Sequence, residues 1–487
     1  MMPFGSTLLG RAWSGPRRGG FFRSAALLVG GTASAQAIAL FAAPILTRLY
    51  SPEAFGIMGA FTAVLSVLAI TVTLRYSLAI PLPELQRDAA HVAILSLLAT
   101  LVVTALVAAG IHQYGIQTLT ALRLEALVPF QWLWPIGVAL LGAIEVGSKW
   151  AIRARTFGVL AATRVAQTVT GVGTQLAMAS LGPIGLLAGS ITNQAMGAIL
   201  LIANALRSPG GNALLRPNAT EVVRMGARYK RLPIFSTWSG AFNTLGSQIP
   251  TVFFAAQFGV GAAGLYFLAY RVLSLPMNLI GNALGQVFMP NAVRAHREGG
   301  LGTLVARLHS AISGAVLPPM LLFVIAAPDT FSIAFGEEWR GAGNLARWMA
   351  PWLYFVVVSS PMSTLFTILE KEPQGTVFQA SMLAVRLLAI AIGSQYGDLT
   401  ATVAMFSLGS SLGYCSLLLW EYRAAGNTGL SLLKTTSRDA ARAALVCSPF
   451  LTARVLSDDT SVSLLGLAAS LVLTTAYYVR LPASWRA

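Results

Sequence analysis

Arginine side chains within apolar segments are the first indication of chemistry in this sequence. Five of them lie inside or at the ends of stretches long enough to cross a bilayer: Arg48, Arg75, Arg164, Arg271 and Arg386. A guanidinium in hydrocarbon is costly, so it faces a water-filled space or a partner. Its planar fork binds two phosphate oxygens at once. These residues therefore predict contacts with a multiply anionic group such as a diphosphate; for Arg164 and Arg386, pairing or snorkelling is an equal alternative.

Uncharged polar residues extend this pattern along the same segments. Arg271 is followed, at spacings of three and four, by Ser274, Asn278, Asn282 and Gln286. Such spacing keeps one face of a helix polar for about four turns. Two further segments contribute Gln175 and Asn243. Hydrogen bonding between packed helices accounts for isolated Ser and Thr residues, whereas a polar face of this length favours a water-filled lumen.

Acidic residues, histidines and cysteines are sparse by comparison. Glu145 is the one carboxylate expected at membrane depth, so we consider it for ion coupling. The four His and two Cys show no metal-ligand spacing and no disulfide framework. The sequence therefore predicts no catalytic residue, no metal and no cofactor.

The composition indicates what positions these groups. Of 487 residues, 55% are hydrophobic and 10% charged, and the mean hydropathy is +0.69. A soluble protein carries about 25% charged residues, so a soluble enzyme and a nucleic-acid binder are excluded despite the net charge of +16. We predict an all-α polytopic membrane protein with about 14 transmembrane helices. The apolar blocks lie at about 24–46, 55–74, 89–110, 127–148, 157–180, 185–206, 233–256, 264–289, 308–327, 344–369, 376–394, 400–421, 442–456 and 462–479.

The distribution of basic residues orients the chain. With the N-terminus inside, 25 Lys and Arg fall in inner loops and four in outer loops. Cytoplasmic loops collect Lys and Arg, so both termini are predicted to be cytoplasmic.

A weak internal repeat divides the chain. Residues 50–57 (YSPEAFGI) align with residues 258–265 (FGVGAAGL), each between the first two helices of a half. We predict two six-helix lobes around a central cationic lumen. The predicted parts are a cytoplasmic segment at 1–23, an N-lobe at 24–206, a basic linker at 207–232, a C-lobe at 233–421, and a basic loop with a C-terminal helix pair at 422–487.

Three stretches resemble a known family: PILTRLYSPEAFG at 44–56, RYSLAIPLP at 75–83, and YKRLP at 229–233 continuing to AGLY at 263–266 and RVLSLP at 271–276. They are similar to the O-antigen and exopolysaccharide flippases of the multidrug/oligosaccharidyl-lipid/polysaccharide exporter superfamily. The resemblance implies an alternating-access flippase for polyprenyl-diphosphate-linked oligosaccharide in surface polysaccharide biosynthesis. It places Arg48, Arg75 and Arg271 as diphosphate or lumen contacts.

The same resemblance implies binding partners for the protein and leaves alternative functions open. The expected partners are the lipid-linked oligosaccharide, membrane lipids and the polysaccharide polymerase or export machinery, without nucleic acid. The last helix pair resembles that of lipid II flippases, where it forms a groove for the lipid tail, so a lipid II flippase is one alternative. A drug/cation antiporter of the superfamily is disfavoured by the few lumen carboxylates. A polyprenyl-linked glycosyltransferase or polymerase is disfavoured because no outer loop exceeds about 16 residues.

Overall fold

A computed structural model describes residues 18–208, 210–233, 237–456, 469–470 and 472–475. Within these residues every regular element is helical. The first six long helices are α1 (Arg18–Leu49), α2 (Pro52–Leu68), α3 (Gln86–Ala121), α4 (Leu133–Arg153), α5 (Phe157–Ala177) and α6 (Pro183–Arg207). Two short helices follow, α7 (Gly211–Leu214) and α8 (Ala219–Arg228). The remainder are α9 (Thr237–Phe258), α10 (Val260–Glu298), α11 (Leu301–Phe335), α12 (Arg340–Ser359), α13 (Leu365–Ile368), α14 (Glu372–Ser394), α15 (Leu399–Ala424) and α16 (Gly429–Leu456).

The all-α membrane fold is confirmed. Nine helical segments of the described chain are long and apolar enough to cross a membrane by length and composition. The total of about 14 stays a prediction. Several helices exceed the predicted membrane length, because α3, α10 and α11 have 36, 39 and 35 residues, against about 20 needed to span the hydrocarbon.

The predicted second helix, 55–74, is interrupted. Regular α-helix ends at Leu68, and short 3-10 helices follow at Ala69–Thr71 and Tyr76–Ala79. Between them Leu74 and Arg75 have positive φ angles of 45° and 59°. The break coincides with a run of four β-branched residues at 70–73, which have low helix propensity, although such residues also occur within the continuous helix α3.

One guanidinium holds the chain that follows this break. Arg153, in the last turn of α4, donates hydrogen bonds to the carbonyls of Ile80, Pro81 and Pro83 at 3.3, 3.4 and 2.6 Å. It also donates to the carbonyls of Glu84 and Leu85 at 3.2 and 3.3 Å. Irregular backbone near a membrane needs such partners, because its carbonyls are otherwise unsatisfied.

Two predicted loops contain helices. The linker at 207–232 includes α8, whose N-terminus is capped by the Asn218 side chain. The predicted basic loop after residue 421 is largely helical, because α16 begins at Gly429 and continues through the predicted helix 442–456. Leu432 and Ala443 of α16 are buried against α11 and α15, so packing favours the helix. Of the predicted helix 462–479, only residues 469–470 and 472–475 lie in the described part, and these are helical.

The same helix pairings occur in both parts of the chain. We call α1–α6 the first half, and α9–α12 with α14 and α15 the second half. In the first half α1 packs on α5, α3 on α4, α4 on α6 and α5 on α6. In the second half the corresponding pairs α9 and α14, α11 and α12, α12 and α15, and α14 and α15 also pack together. Each half is therefore a similar bundle in the same chain order.

Glycines join the two halves. A Cβ atom on Gly56 of α2 would lie 1.7 Å from the Val260 carbonyl oxygen of α10, and one on Gly264 would lie 1.8 Å from the Pro52 carbonyl oxygen. Gly56 and Gly264 are equivalent positions of the internal repeat, and the Cβ position of each lies within 3.0 Å of the other's backbone nitrogen. The helices cross in backbone contact, as small residues permit in membrane bundles.

Aromatic residues close the same end of the bundle, which is the end with few arginines. Trp339 is fully buried, donates its indole N–H to the Thr47 carbonyl at 3.0 Å, and packs edge-on to Phe55 at 5.0 Å. Within the first half, the Tyr50 hydroxyl next to this contact donates to the Gln175 carbonyl at 2.5 Å. The halves are thus joined tightly where α2 and α10 begin.

Substitution of Gly56 by Ala should destabilise this junction. The added methyl group meets backbone rather than a flexible side chain, so we expect a cost of about 1–3 kcal/mol and a lower midpoint of thermal unfolding in detergent. Gly110→Ala in α3 is the matched control, because no atom lies within 4 Å of its Cβ position and alanine favours a helix. Equal unfolding midpoints for the two variants would contradict the proposed backbone contact.

Candidate functional site

Arg386 occupies an aromatic cage inside the second half. Its guanidinium lies 5.4, 5.6 and 5.8 Å from the ring centres of Trp352, Phe406 and Tyr414. It donates to the Gly246 carbonyl at 2.8 Å and to the Ser410 hydroxyl at 3.2 Å. Arg386 is buried, with only 6% of its surface exposed. Cation–π contacts and two hydrogen bonds stabilise this charge without a carboxylate.

A polar cavity of 520 Å³ adjoins the cage. Tyr414 belongs to both, and Asn243 of α9 also lines the cavity. Its other polar lining residues are Ser359, Ser360, Ser363, Glu372, Thr376 and Gln379. Hydroxyl, amide and carboxylate groups of this kind can hydrogen-bond to a sugar, which presents many hydroxyls. Its described walls come mainly from α12, α14 and α15 and include one carboxylate, Glu372, and no arginine. Of the residues that the sequence assigned to a lumen, Asn243 is in this lining, and the central cationic lumen stays a prediction.

Helix α10 passes beside this cavity. A Cβ atom on Gly281 would lie 3.3 Å from the Ser360 hydroxyl, and one on Gly285 would lie 3.8 Å from Pro361. The predicted polar face of α10 runs through the same turns. The side chains of Asn278, Asn282 and Gln286 lie outside the described residues. Ser274, one turn earlier, is half-buried and donates to the Arg271 carbonyl at 3.2 Å.

Arg75 reaches from the first half to the second. It is half-buried, and one of its terminal nitrogens lies 1.9 Å from the position that a Cβ on Gly240 of α9 would occupy. Its Nε is buried without a hydrogen-bond partner among the described residues. A left-handed backbone at a bulky residue is strained and persists where the surroundings impose it. The break in the second helix therefore presents this charge to α9.

Glu145 lies in the polar group that supports the break. Its carboxylate accepts a hydrogen bond from the Ser77 hydroxyl at 2.6 Å, and Ser77 is 3.0 Å from the Thr73 hydroxyl. These contacts tie α4 to the irregular segment that carries Arg75. They give Glu145 a positioning role in the first half; ion coupling stays a prediction.

Helix α9 connects the two groups. Gly240 contacts Arg75, Asn243 lines the polar cavity, and Gly246 accepts a hydrogen bond from Arg386. The three residues are spaced by three, so they lie along one side of the helix. A displacement of α9 would alter all three contacts together.

The other predicted site residues are not brought together. Arg48 and Arg164 are exposed, on the last turn of α1 and in the middle of α5. Gln175 is buried within the first half and donates to the Leu186 carbonyl at 3.4 Å. Arg271 is half-buried, and its guanidinium makes no hydrogen bond or ion pair to any described residue. Among the described residues, Arg271 therefore lacks the hydrogen-bond and ring partners that Arg386 has.

An apolar cleft of 540 Å³ lies between the halves on the other side of α10. It is lined by Ala33, Gln36, Ala37 and Leu40 of α1, by Val272, Leu273, Leu275 and Met277 of α10, and by Ala315, Val316, Pro319, Met320 and Phe323 of α11, together with Val357. Gln36 is the one polar side chain among them. Such a lining suits a hydrocarbon chain.

Sequence reasoning missed the cage and the support of the break. Tyr414 and Arg153 were not singled out, because an aromatic residue in an apolar segment and an arginine at a helix end have ordinary structural roles. One signal was present, since two serines precede Pro361, and proline disfavours helical backbone before it. The structure forms a 3-10 helix at Ser360–Thr364, where a continuous helix from 344 to 369 was predicted.

Comparisons with known proteins give both a family and a fold. The family described as "Polysaccharide biosynthesis protein" matches residues 45–343, more than half of the chain. No curated protein sequence matches significantly. The structure of the lipid II flippase MurJ in an inward closed conformation is similar at a TM-score of 0.69 and 10% identity, over 94% of this chain and 97% of that one.

Two transporters share this fold. An inward-facing multidrug resistance MATE family transporter of the MOP superfamily is similar at a TM-score of 0.63 and 15% identity, over 80% of this chain and 94% of that one. A eukaryotic MATE transporter is similar at 0.54 and 14% identity, over 86% and 100% of the two chains.

Substitution of Arg386 by Gln tests whether the cage is structural. Loss of two charge-assisted hydrogen bonds and the ring contacts should destabilise the protein by about 1.5–3 kcal/mol, measured as a lower unfolding midpoint. Arg164→Gln is the control, because this arginine is exposed and surface substitutions change stability by about 0.5 kcal/mol or less. An Arg386→Gln protein that unfolds like wild type would contradict a structural role and favour direct contact with substrate.

Proposed function

Because the chain belongs to the polysaccharide biosynthesis protein family, we propose that it is a flippase for polyprenyl-diphosphate-linked oligosaccharide. The substrate moves across the bacterial inner membrane during O-antigen or exopolysaccharide synthesis, and no bond is made or broken. The resemblance seen in the sequence is confirmed by the family match and by the fold shared with MurJ and MATE proteins.

The observation that carries this proposal is the pair of spaces beside α10. One is an apolar cleft between the halves, and the other is a polar cavity of similar volume. A lipid-linked sugar has two parts of opposite polarity, and each part needs its own environment. The tail stays in the apolar cleft, open to the bilayer, and the sugar enters the polar cavity.

Arginines hold the diphosphate between these two spaces. Arg271 precedes the first cleft residue of α10, Val272, and its donors have no partner in the described chain. Arg75 approaches α9 from the other half, and its Nε has no hydrogen-bond partner among the residues described. Bidentate binding of phosphate oxygens satisfies such groups. The Arg386 guanidinium already has hydrogen-bond and ring partners within the protein, so its role is to position Tyr414 in the cavity wall.

Movement of the two halves exposes the headgroup on alternate sides. The halves meet tightly through Gly56 and Gly264 at the end with few arginines. The positive-inside rule makes that end the outer one, so this conformation is closed to the outside. Opening requires the α2–α10 crossing to separate, with the halves 24–206 and 233–421 moving as units.

The first test measures transfer in vesicles that contain the purified protein. Polyprenyl-diphosphate oligosaccharide is placed in one leaflet, and its sugar is probed from the opposite side with a lectin. We expect protein-dependent appearance of intact substrate. Movement of lipid II instead would favour the lipid II flippase, and efflux of a cationic dye without lipid movement would favour the drug antiporter.

Substitution of Arg271 by Gln should slow this transfer. Loss of charged hydrogen bonds to the diphosphate, about 1.5–3 kcal/mol, corresponds to about 10- to 100-fold. Arg297→Gln, on the exposed last turn of the same helix, should transfer at the wild-type rate. Normal transfer by a folded Arg271→Gln protein would remove Arg271 from the site while leaving the function standing.

Filling the apolar cleft should also block transfer. Ala37→Trp adds a large ring among the cleft residues of α1, so the lipid tail loses its place. Ala109→Trp on the exposed side of α3 is the control for adding a tryptophan at an exposed position. Equal transfer rates for the two variants would show that the tail does not use this cleft.

A further inference from the structure

A group of three metal-ligating side chains lies away from the cleft and the polar cavity. Asp88 and His91 are three residues apart in the first turns of α3, which puts them on one face. Glu221 is in α8, within the segment that connects the two halves. One ligand atom from each lies within 4.8 Å of the others. All three line one pocket of 750 Å³ at the Arg-rich end of the bundle.

His91 has a buried ring nitrogen without a hydrogen-bond partner among the described residues. The residue is 8% exposed, and the nitrogen is Nδ1. Buried polar atoms without a partner are uncommon and call for an explanation such as an unseen ion. Here the imidazole lies beside two carboxylates that share its pocket.

Arg224 holds the two carboxylates in the present structure. Its guanidinium is 2.5 Å from Glu221 and 3.7 Å from Asp88. The side chain is 59% exposed, so it can turn to solvent. The carboxylates are more covered, with 17% of the Asp88 side chain and 30% of the Glu221 side chain exposed, but an ion pair whose cation is this exposed contributes little stability. A cation with higher affinity for the carboxylates can therefore displace it.

We propose that Asp88, His91 and Glu221 bind a divalent transition metal, with Zn²⁺ as the favoured ion. One imidazole nitrogen and two carboxylate oxygens are ligands that Zn²⁺ accepts at about 2.0–2.2 Å. In tetrahedral geometry such ligand atoms lie about 3.5 Å apart, so modest side-chain rotation closes the site. The open pocket leaves room for water as the fourth ligand.

Basic neighbours limit the affinity of this site. Arg87 and Arg216 also line the pocket, and both are exposed. Their charges oppose a cation, although solvent screens exposed groups. We therefore expect reversible binding that follows the available zinc, rather than a permanent structural ion.

A metal ion at this position would affect movement between the two halves. α8 packs on α3, and the Tyr76 hydroxyl donates to the Gly226 carbonyl of α8 at 3.3 Å. Burial raises the pKa of Tyr76, so the phenol stays protonated as a donor. A metal bridging α3 and α8 fastens the connecting segment to the first half, which restrains movement between the halves.

The experiment titrates the full-length protein in detergent with Zn²⁺ and measures binding by calorimetry. We expect one zinc per chain, and weaker binding of Mn²⁺, as the order of metal affinities predicts. Glu221→Gln should weaken zinc binding by about tenfold or more. Glu298→Gln, an exposed carboxylate at the same end of the bundle, is the matched control and should bind like wild type.

Arg224→Gln separates metal binding from a structural effect. It breaks the same ion pair as Glu221→Gln, yet it removes the competing cation, so zinc affinity should rise. Zinc should also slow tryptic cleavage after Arg228, Lys230 and Arg231 in wild type but not in Glu221→Gln. Equal zinc affinity in wild type and Glu221→Gln, or weaker binding in Arg224→Gln, would overturn the proposal.

Discussion

The contact between α2 and α10 is the constraint on which the rest of the structure depends. Backbone meets backbone there because Gly56 and Gly264 have no side chains. This approach places α1 beside α10 and α11, which creates the apolar cleft, and it places α9 close enough for Arg75 to reach Gly240. The apolar cleft, one of the two spaces assigned to the substrate, therefore follows from a crossing that two equivalent glycines permit.

The three arginines inside the bundle, Arg75, Arg271 and Arg386, differ in how far the protein satisfies their charge. Arg386 has carbonyl, hydroxyl and aromatic partners, and it stabilises the second half. Arg75 has a left-handed backbone, and in the part of the chain that the structure describes neither its Nε nor the Arg271 guanidinium has a hydrogen-bond partner. Because desolvating a guanidinium is costly, this difference in partners is the reason that we assign Arg386 a structural role and propose Arg75 and Arg271 as contacts for the diphosphate.

The segment between the two halves carries the metal site that we propose. α8 is held on the first half by Tyr76 and by the group around Asp88 and Glu221. In the alternating-access mechanism proposed above, the halves move relative to one another, so we expect an interaction that fixes the connecting segment to slow this movement. The exposed Arg224 suits this purpose, because replacing it with a metal ion as the partner of Asp88 and Glu221 costs little stability.

The sequence by itself determined the membrane class, the order of the helices and the set of polar candidates, because hydropathy and helical spacing are local properties. It also marked the repeat that contains Gly56 and Gly264.

Only the tertiary structure decided that Arg386 is caged, that Arg164 is exposed, and that Tyr414 and Ser360 line the cavity. It likewise decided where predicted helices break, at residues 69–79 and 360–364, and that α16 extends through a predicted loop. These outcomes depend on partners more than 20 residues away, such as Gly246 for Arg386 and Arg153 for the chain after the break. Spacing along one helix carries no information about which neighbour will satisfy a side chain or a carbonyl.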